Sequence, residues 1–328
     1  MTITELVKDP RIQRIATHPD DGEAPWREDL DRLLAGDLKL DRTSASEAAV
    51  MAVQRLMIFL GYSTAGSGGF LVDGDFGRGT NRGIAQFQFE HGLNPRLHRN
   101  TLCYPCKWNT ARKWITNIPD VRLDQRTLQA MLEVALERCE SGQVMAGSVD
   151  EAIFHLNALH RRRFLVCSEI AQRYGAVARS VSERMADDEG VTVRPEWILA
   201  IVRQETAGVI RPRFEQHYLS RLNESTPEAS LSELRMRSMS LGLGQIMGEN
   251  FSRVGAPDAT TLFTAPADEQ VGFVARFLKA KPKVVQKADP VDDDFRVLAR
   301  HYNGPKYEAH DYHTSLAKWF REFREILA

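Results

Sequence analysis

A short apolar segment, Pro195–Glu205, constrains the fold more than any other part of the chain. Proline suits the first turn of an α-helix, and Gly208 follows where the helix should stop. Between them, Ile198, Ile201 and Val202 recur at the spacing of one helical face. The segment is therefore predicted to be a helix whose apolar face packs into a core.

Glu205 falls next in the same helical series, so its carboxyl group is predicted to lie on the apolar face. Loss of hydration and the negative end of the helix dipole both favour the protonated form of a carboxyl group there. A carboxylic acid that stays protonated near neutral pH can act as a general acid. The alternative is a surface glutamate that pairs with Arg203 or Arg211.

Three further motifs follow Glu205 along the chain. They are Phe-Glu-Gln-His at 214–217, Ser-Leu-Gly-Leu-Gly-Gln-Ile-Met-Gly at 240–248, and Tyr-Asn-Gly-Pro at 302–305, with Tyr307 close behind. In this order, Glu205 and the motifs resemble the N-acetylmuramidase family of phage endolysins, within the lysozyme-like superfamily. The resemblance covers residues 193–328. It implies a glycoside hydrolase that cleaves the β-1,4 bond between N-acetylmuramic acid and N-acetylglucosamine in peptidoglycan, with Glu205 as the general acid.

The resemblance also implies roles for residues around the acid. Glu215 is a candidate second catalytic carboxylate, which would activate water or stabilise the developing cation. It could equally be an anchor that pairs with Arg213 or His217. The residues predicted to bind substrate are Thr206, His217, Gln245, Tyr302 and Asn303. Tyr302 and Asn303 are expected to position the sugar with a hydrogen bond to Glu205, and Tyr307 and Tyr312 to continue that wall.

The first half of the chain carries a second set of patterns. Apolar spacing predicts one helix around Val50–Leu60, a second that begins at a Thr80 cap, and a third capped by Asp124. Together with Gln54, the motif Asp-Gly-Asp-Phe-Gly at 73–77 is similar to the peptidoglycan-binding domain of wall hydrolases. This similarity spans residues 44–136. The polar loop residues predicted to contact the cell wall are Tyr62, Asp73, Asp75 and Thr80.

The length of 328 residues favours two domains. We predict an N-terminal arm with a peptidoglycan-binding domain over 1–145 and a lysozyme-like catalytic domain over 146–328. The predicted fold class is mainly α: a three-helix domain followed by an α-rich domain with a small β element. A net charge of −1 gives no electrostatic case for nucleic acid, and the protein is expected to be a monomer whose partner is peptidoglycan.

The remaining patterns bear on location and cofactors. The first ten residues lack the apolar core of a signal peptide, and no stretch is long enough to span a membrane. The protein is therefore expected to be made in the host cytoplasm and to reach periplasmic peptidoglycan by holin-type release or by injection. Cys103 and Cys106 have the spacing of a redox motif or half a zinc site. Without a second ligand pair we interpret them as reduced thiols, and we predict neither metal nor cofactor.

Three other functions share parts of this pattern. A lytic transglycosylase would use the same acid but leave 1,6-anhydro-muramic ends. A muramidase effector would cleave the same bond but would be injected by a secretion system instead of being released by a holin. A non-catalytic wall-binding virion protein would keep only the fold, and the intact Glu205 beside its motifs argues against it.

Overall fold

The computed structural model describes residues 2–21, 27–35, 40–41, 43–44, 46–103 and 118–328. These residues are mainly α-helical and include one small three-stranded sheet. The predicted fold class is confirmed.

The helices and strands of the described residues follow in chain order. The α-helices are α1 (Ile3–Lys8), α2 (Pro10–Ala16), α3 (Arg27–Leu34), α4 (Glu47–Phe59), α5 (Arg78–Glu90), α6 (Arg99–Cys103), α7 (Gln125–Ser141), α8 (Val149–His160), α9 (Cys167–Glu189), α10 (Pro195–Glu205), α11 (Gln216–Ser225), α12 (Leu231–Arg237), α13 (Ala259–Thr264), α14 (Ala267–Leu278), α15 (Pro282–Val285), α16 (Asp292–Asn303) and α17 (Tyr312–Leu327). The strands are β1 (Arg213–Phe214), β2 (Met239–Leu241) and β3 (Ile246–Met247). Segments of 3-10 helix lie at Pro19–Asp21, Met145–Gly147, Gly248–Val254 and Tyr307–His310.

The chain forms two compact units. The first comprises Met1–Arg162, Arg211–Ser240 and Met247–Glu249, and the second comprises Arg163–Ile210, Leu241–Ile246 and Asn250–Ala328. The segment 211–240 thus belongs to the same unit as the N-terminal helices, although the sequence assigned it to the catalytic domain. These units describe packing, and the predicted domain boundary between residues 145 and 146 stays a prediction.

A buried arginine ties the N-terminal arm and α8 into the first unit. Arg55 of α4 is fully buried, and its guanidinium donates to the carbonyl oxygens of Ile15 at 2.7 Å and Thr17 at 3.1 Å. It also donates to Oδ1 of Asn157 in α8 at 2.8 Å. Burial lowers the pKa of Arg55 to about 10, so the side chain stays charged at neutral pH. One cation therefore satisfies carbonyl groups from several segments.

A buried glutamine organises the loop between α4 and α5. The Gln54 Oε1 accepts hydrogen bonds from the backbone N–H groups of Asp73 at 2.9 Å and Gly74 at 3.0 Å. The Gln54 Nε2 donates to Oδ1 of Asp73 at 2.8 Å and to Oγ1 of Thr80 at 3.1 Å. Gln54 is fully buried, so these bonds replace water that its amide group has lost. The loop is held against α4 by this one side chain.

The helix caps of the first unit confirm one prediction and correct another. Asp124 caps α7 as predicted, because its Oδ1 accepts the Thr127 N–H at 2.8 Å. The predicted Thr80 cap of α5 is wrong, because α5 begins at Arg78 and Gly77 precedes it. The Thr80 hydroxyl instead points into the core, since it is fully buried and bonded there.

The small sheet has the strand order β1-β2-β3. β1 pairs antiparallel with β2, so that Phe214 lies opposite Met239. A single bridge joins Gly69 to Arg213, and the Phe214 N–H donates to the Gly68 carbonyl at 2.8 Å. Gly68 has a φ of +91°, and a Cβ there would lie 1.9 Å from the Phe214 carbonyl oxygen. This close approach requires glycine at position 68.

α10 is the central helix of the second unit and packs against α9, α14 and α17. Its bounds, Pro195–Glu205, are those predicted from the sequence. The residues from Trp197 to Val202 have no exposed surface. The Trp197 ring packs on Phe295 of α16 and Phe320 of α17, with ring centroids 5.0 and 4.3 Å away. α10 therefore presents its C-terminal end from a rigid core.

Among the described residues, no helix combines the length and the apolar character that a transmembrane span requires.

Candidate active site

Glu205 is the last residue of α10, and the chain turns sharply behind it. Thr206 caps the helix, and Ala207 and Gly208 both adopt positive φ angles, 47° and 73°. Glu205 is half-buried, while the residues from Glu196 to Val202 on the same helix are buried. The carboxylate therefore lies at the border between the apolar core and solvent, at the negative end of the helix dipole.

A tyrosine hydroxyl orients this carboxylate. Tyr312, the first residue of α17, donates a hydrogen bond from its hydroxyl to Oε1 of Glu205. Burial, and then the nearby Glu205 charge, raise the pKa of Tyr312 well above 10. The phenol therefore remains a hydrogen-bond donor throughout the neutral pH range.

Tyr302 does not make the hydrogen bond to Glu205 that the sequence predicted. Its hydroxyl donates instead to the carbonyl oxygen of Gly244 at 2.6 Å. Burial, and then the Glu205 charge, raise the pKa of Tyr302 well above 10, so this hydroxyl also stays protonated. The prediction named the wrong tyrosine because Tyr302 is committed to the glycine-rich loop and Tyr312 reaches the acid.

The loop Gly242–Gln245 is fixed at its centre by a buried glutamine. The Leu243 N–H donates to Oε1 of Gln270 at 2.9 Å, and Nε2 of Gln270 donates to the Ala265 carbonyl at 2.8 Å. Gln270 lies on α14 and is buried. Together with the bond from Tyr302 to Gly244, these contacts fix the backbone conformation of the loop.

Gly244 and Gln245 form the end of the glycine-rich loop and differ in their surroundings. A Cβ at Gly244 would lie 2.5 Å from the Tyr302 hydroxyl and 2.5 Å from a methyl group of Val274. Glycine is therefore needed for the close contact with Tyr302. Gln245 is half-exposed with a φ of +48°, and its side-chain amide donates to the Gly242 carbonyl at 3.2 Å.

Thr206 takes a different role from the predicted one. The side chain is fully buried, and its hydroxyl bonds the carbonyl oxygens of Val202 at 3.0 Å and Leu243 at 2.9 Å. It cannot reach a substrate, because both hydroxyl contacts lie inside the protein. The prediction of substrate binding is corrected: Thr206 joins the end of α10 to the glycine-rich loop.

The other predicted site residues divide between the two units. Asn303, at the end of α16, is exposed in the second unit. Glu215 and His217 belong to the first unit. The Glu215 carboxylate pairs with Nε of Arg213 at 2.8 Å and lies 3.5 Å from Nδ1 of His217. These are the two contacts of the anchor alternative, and the catalytic role of Glu215 stays a prediction.

The structure corrects two of the four predicted wall-binding residues. Tyr62 is 2% exposed and donates its hydroxyl to the Glu90 carboxylate at 2.7 Å, and Thr80 is fully buried. Neither can touch glycan, because both face the interior of the first unit. Asp73 is partly exposed and accepts the Asp75 N–H at 3.0 Å, so it shapes the loop. Asp75 is exposed, and wall contact by it stays a prediction.

The cysteine pair is described only in part. Cys103 is a buried free thiol, and burial raises its pKa to about 11. At neutral pH it is protonated and a poor nucleophile. Cys106 lies outside the described residues.

Two residues that shape the site were not identified as such from the sequence. Tyr312 was expected only to extend the cleft wall, and Gln270 was not singled out. Each makes a hydrogen bond to a partner far away in sequence, Tyr312 to Glu205 and Gln270 to Leu243. The spacing of neighbouring residues does not predict such a bond.

Two family models match the chain. Residues 215–324 match the model described as N-acetylmuramidase, and residues 46–95 match the model described as "Putative peptidoglycan binding domain". Glu205 lies ten residues before the range that matches the N-acetylmuramidase model, so that match does not test Glu205 as the general acid. The comparison with curated proteins finds no match.

A solved structure, the crystal structure of Burkholderia AP3 phage endolysin, is similar at 16% sequence identity. The similarity covers 88% of this chain and 99% of that one, with a TM-score of 0.27. These values are too low to support a conclusion about fold or function.

The two family matches define the class: the chain is a peptidoglycan hydrolase, a glycoside hydrolase built from separate modules. Residues 215–324, which match the N-acetylmuramidase model, follow a range that matches a peptidoglycan-binding domain, which is the modular organisation of an endolysin. The sequence-based recognition is confirmed, and so is peptidoglycan as the partner.

Proposed function

We propose that this enzyme is an endolysin that cleaves the β-1,4 bond between N-acetylmuramic acid and N-acetylglucosamine, with Glu205 as the general acid. One observation carries the proposal: a half-buried carboxylate ends the central helix and accepts a hydrogen bond from a buried tyrosine hydroxyl. Glycosidic cleavage needs a proton on the leaving oxygen as an oxocarbenium-like state develops. A carboxyl group at a border between core and solvent can hold that proton and still reach substrate.

The surrounding residues supply positioning in this proposal. Tyr312 donates its hydroxyl hydrogen bond to Oε1 of Glu205 and so orients the carboxyl group that would carry the proton. The half-exposed Gln245 and the exposed Asn303 carry amide groups that can bond N-acetyl and hydroxyl groups of the sugars. Tyr302 fixes the glycine-rich loop beside Glu205 through its hydrogen bond to the Gly244 carbonyl.

The products of digestion test the reaction type. Attack by water should leave reducing N-acetylmuramic acid ends, whereas intramolecular attack by the muramic 6-hydroxyl would leave 1,6-anhydro ends. Purified sacculi digested to completion are analysed by mass spectrometry. We expect mainly reducing muramic ends. Mainly anhydro ends would make the enzyme a lytic transglycosylase, and reducing glucosamine ends would mean that the other bond is cleaved.

Tyr312→Phe tests the orientation of the acid. The variant removes the hydroxyl that donates to Glu205 and keeps the buried ring. We expect activity at neutral pH to fall about tenfold, because the carboxyl group loses its fixed orientation. A hydrogen bond to the ionised carboxylate favours ionisation. Its loss should therefore move the alkaline limb of the pH–activity profile to higher pH.

The matched control is Tyr307→Phe, since the Tyr307 hydroxyl donates to a different carboxylate, Glu308, at 3.0 Å. Phenylalanine keeps the ring that Tyr307 was expected to contribute to the cleft wall, so the pH profile of this variant should stay that of the wild type. An unchanged alkaline limb in Tyr312→Phe would contradict the assignment of Glu205 as the acid that this tyrosine orients.

A further inference from the structure

The residues on either side of Glu215 are hydrogen-bonded to the N-terminal half of the chain. The Phe214 N–H donates to the Gly68 carbonyl at 2.8 Å. The side-chain amide of Gln216 donates to the Leu102 carbonyl at 3.1 Å. Glu215 is thus bracketed by two bonds to the region that resembles a peptidoglycan-binding domain.

α11, which begins directly after Glu215, makes further bonds to α6. The Ser220 hydroxyl donates to the Cys103 carbonyl at 2.6 Å, and Nε of Arg99 donates to Oδ1 of Asn223 at 2.7 Å. All of these residues belong to the first unit. The early part of the matched N-acetylmuramidase range therefore packs on helices from the first half of the chain.

A buried ion pair joins α12 to α5. Arg235 of α12 directs Nε and a terminal nitrogen at the two carboxylate oxygens of Glu90 in α5, at 2.9 and 3.1 Å. The Tyr62 hydroxyl donates to the same carboxylate at 2.7 Å, and the Arg235 guanidinium lies 3.9 Å from the centre of the Tyr62 ring. Side-chain exposure is 2% for Arg235 and 7% for Glu90. We call Tyr62, Glu90 and Arg235 the Glu90 cluster.

The electrostatics of the Glu90 cluster favour a single arrangement. Burial alone would lower the pKa of Arg235, but the charges of Glu90 and Tyr62 and the hydrogen bonds to them together raise it. Removing one partner of such a pair leaves a buried charge without compensation, which is strongly unfavourable. A buried pair adds little net stability compared with apolar residues, but it can fix the register of two helices. Here the two helices are α5 and α12.

We propose that Tyr62, Glu90 and Arg235 are positioning residues for the reaction. They hold the segment 211–240, and with it Glu215, in one arrangement. The peptidoglycan-binding domain then contributes to the catalytic step as well as to wall attachment. This inference rests on the proposed function and on the sequence-based prediction that Glu215 is a second catalytic carboxylate.

The test uses full-length Glu90→Gln and a soluble tetrasaccharide of alternating N-acetylglucosamine and N-acetylmuramic acid. A short substrate gains nothing from wall attachment, so its kcat reports the catalytic step. We expect kcat to fall about tenfold with KM within about twofold of wild type. Hydrogen exchange of the amides from 213 to 240 should become faster. Binding of the variant to insoluble sacculi should be unchanged.

Glu249→Gln is the matched control, because Glu249 forms a two-point ion pair with Arg237, at 2.6 and 3.1 Å, without involving α5. It should keep the wild-type kcat. Tyr62→Phe removes only the hydroxyl that donates to Glu90 and keeps the ion pair. It is the second test variant if Glu90→Gln does not fold. It should show a smaller fall in kcat and the same faster exchange.

Wild-type kcat and exchange in both cluster variants would overturn the inference. The proposed function fails separately, if Glu205→Gln stays active. The role of Glu215 also fails separately, if Glu215→Gln keeps its kcat while exchange in Glu90→Gln is faster.

Discussion

Lysis of permeabilised Gram-negative cells is expected to fall by about two or more orders of magnitude when Glu205 is replaced by glutamine. Glutamine keeps the shape and polarity of the side chain but cannot give a proton to the leaving oxygen. Its amide can still accept the Tyr312 hydrogen bond, so the end of α10 should keep its contacts. Turbidity loss and thermal melts of the purified variant measure activity and folding together. We expect the melting temperature to stay near that of the wild type.

Glu308→Gln is the matched control for this experiment. Glu308 also accepts a hydrogen bond from a tyrosine hydroxyl, that of Tyr307 at 3.0 Å, but it is exposed and pairs with Arg296. Lysis by this variant should be normal. A well-folded Glu205→Gln protein with near-normal lysis would show that another carboxyl group is the acid.

Gln54→Leu is expected to lower the stability of the first unit by about 3 kcal/mol or more. Leucine fills the same space but leaves the N–H groups of Asp73 and Gly74 without their acceptor. It also removes the donor to the Thr80 hydroxyl. A loss of this size should lower the melting temperature by roughly 10 °C. Binding to insoluble sacculi should weaken, because the loop that Gln54 holds would leave its native arrangement.

Gln129→Leu provides the comparison, since Gln129 of α7 bonds only the exposed Glu133, at 2.8 Å. Its melting temperature should stay within about 2 °C of the wild type, as for most surface changes. Equal melting temperatures for the two leucine variants would refute the organising role of Gln54. Because both variants introduce leucine, their comparison controls for the general effect of an added apolar side chain.

The sequence predicted best where structure depends on neighbouring residues. α10 begins and ends as predicted, because proline, a helical apolar period and a following glycine act within a few turns. The Asp124 cap of α7 is equally local. The glycine-containing motifs at 73–77 and 240–248 were recognised because each lies within a few consecutive residues.

The sequence predicted poorly where a side chain depends on a partner far along the chain. Tyr312 and Glu205 are separated by 107 residues, and Arg235 and Glu90 by 145. Tyr62 was expected to be exposed because it lies in a loop, but the distant Arg235 covers its ring. Polar side chains give no periodic signal of such contacts, so burial in a loop cannot be inferred from spacing.

The contact between Gly244 and Tyr302 has a consequence for variation and engineering of this enzyme. Because any Cβ at 244 would collide with both the Tyr302 hydroxyl and Val274, the three positions cannot change independently. A larger residue at 244 becomes acceptable only when the side chains at both 302 and 274 make room for it. Libraries that aim to alter glycan preference should therefore randomise the three positions jointly, and natural variants with a larger residue at 244 should show compensating exchanges at the other two.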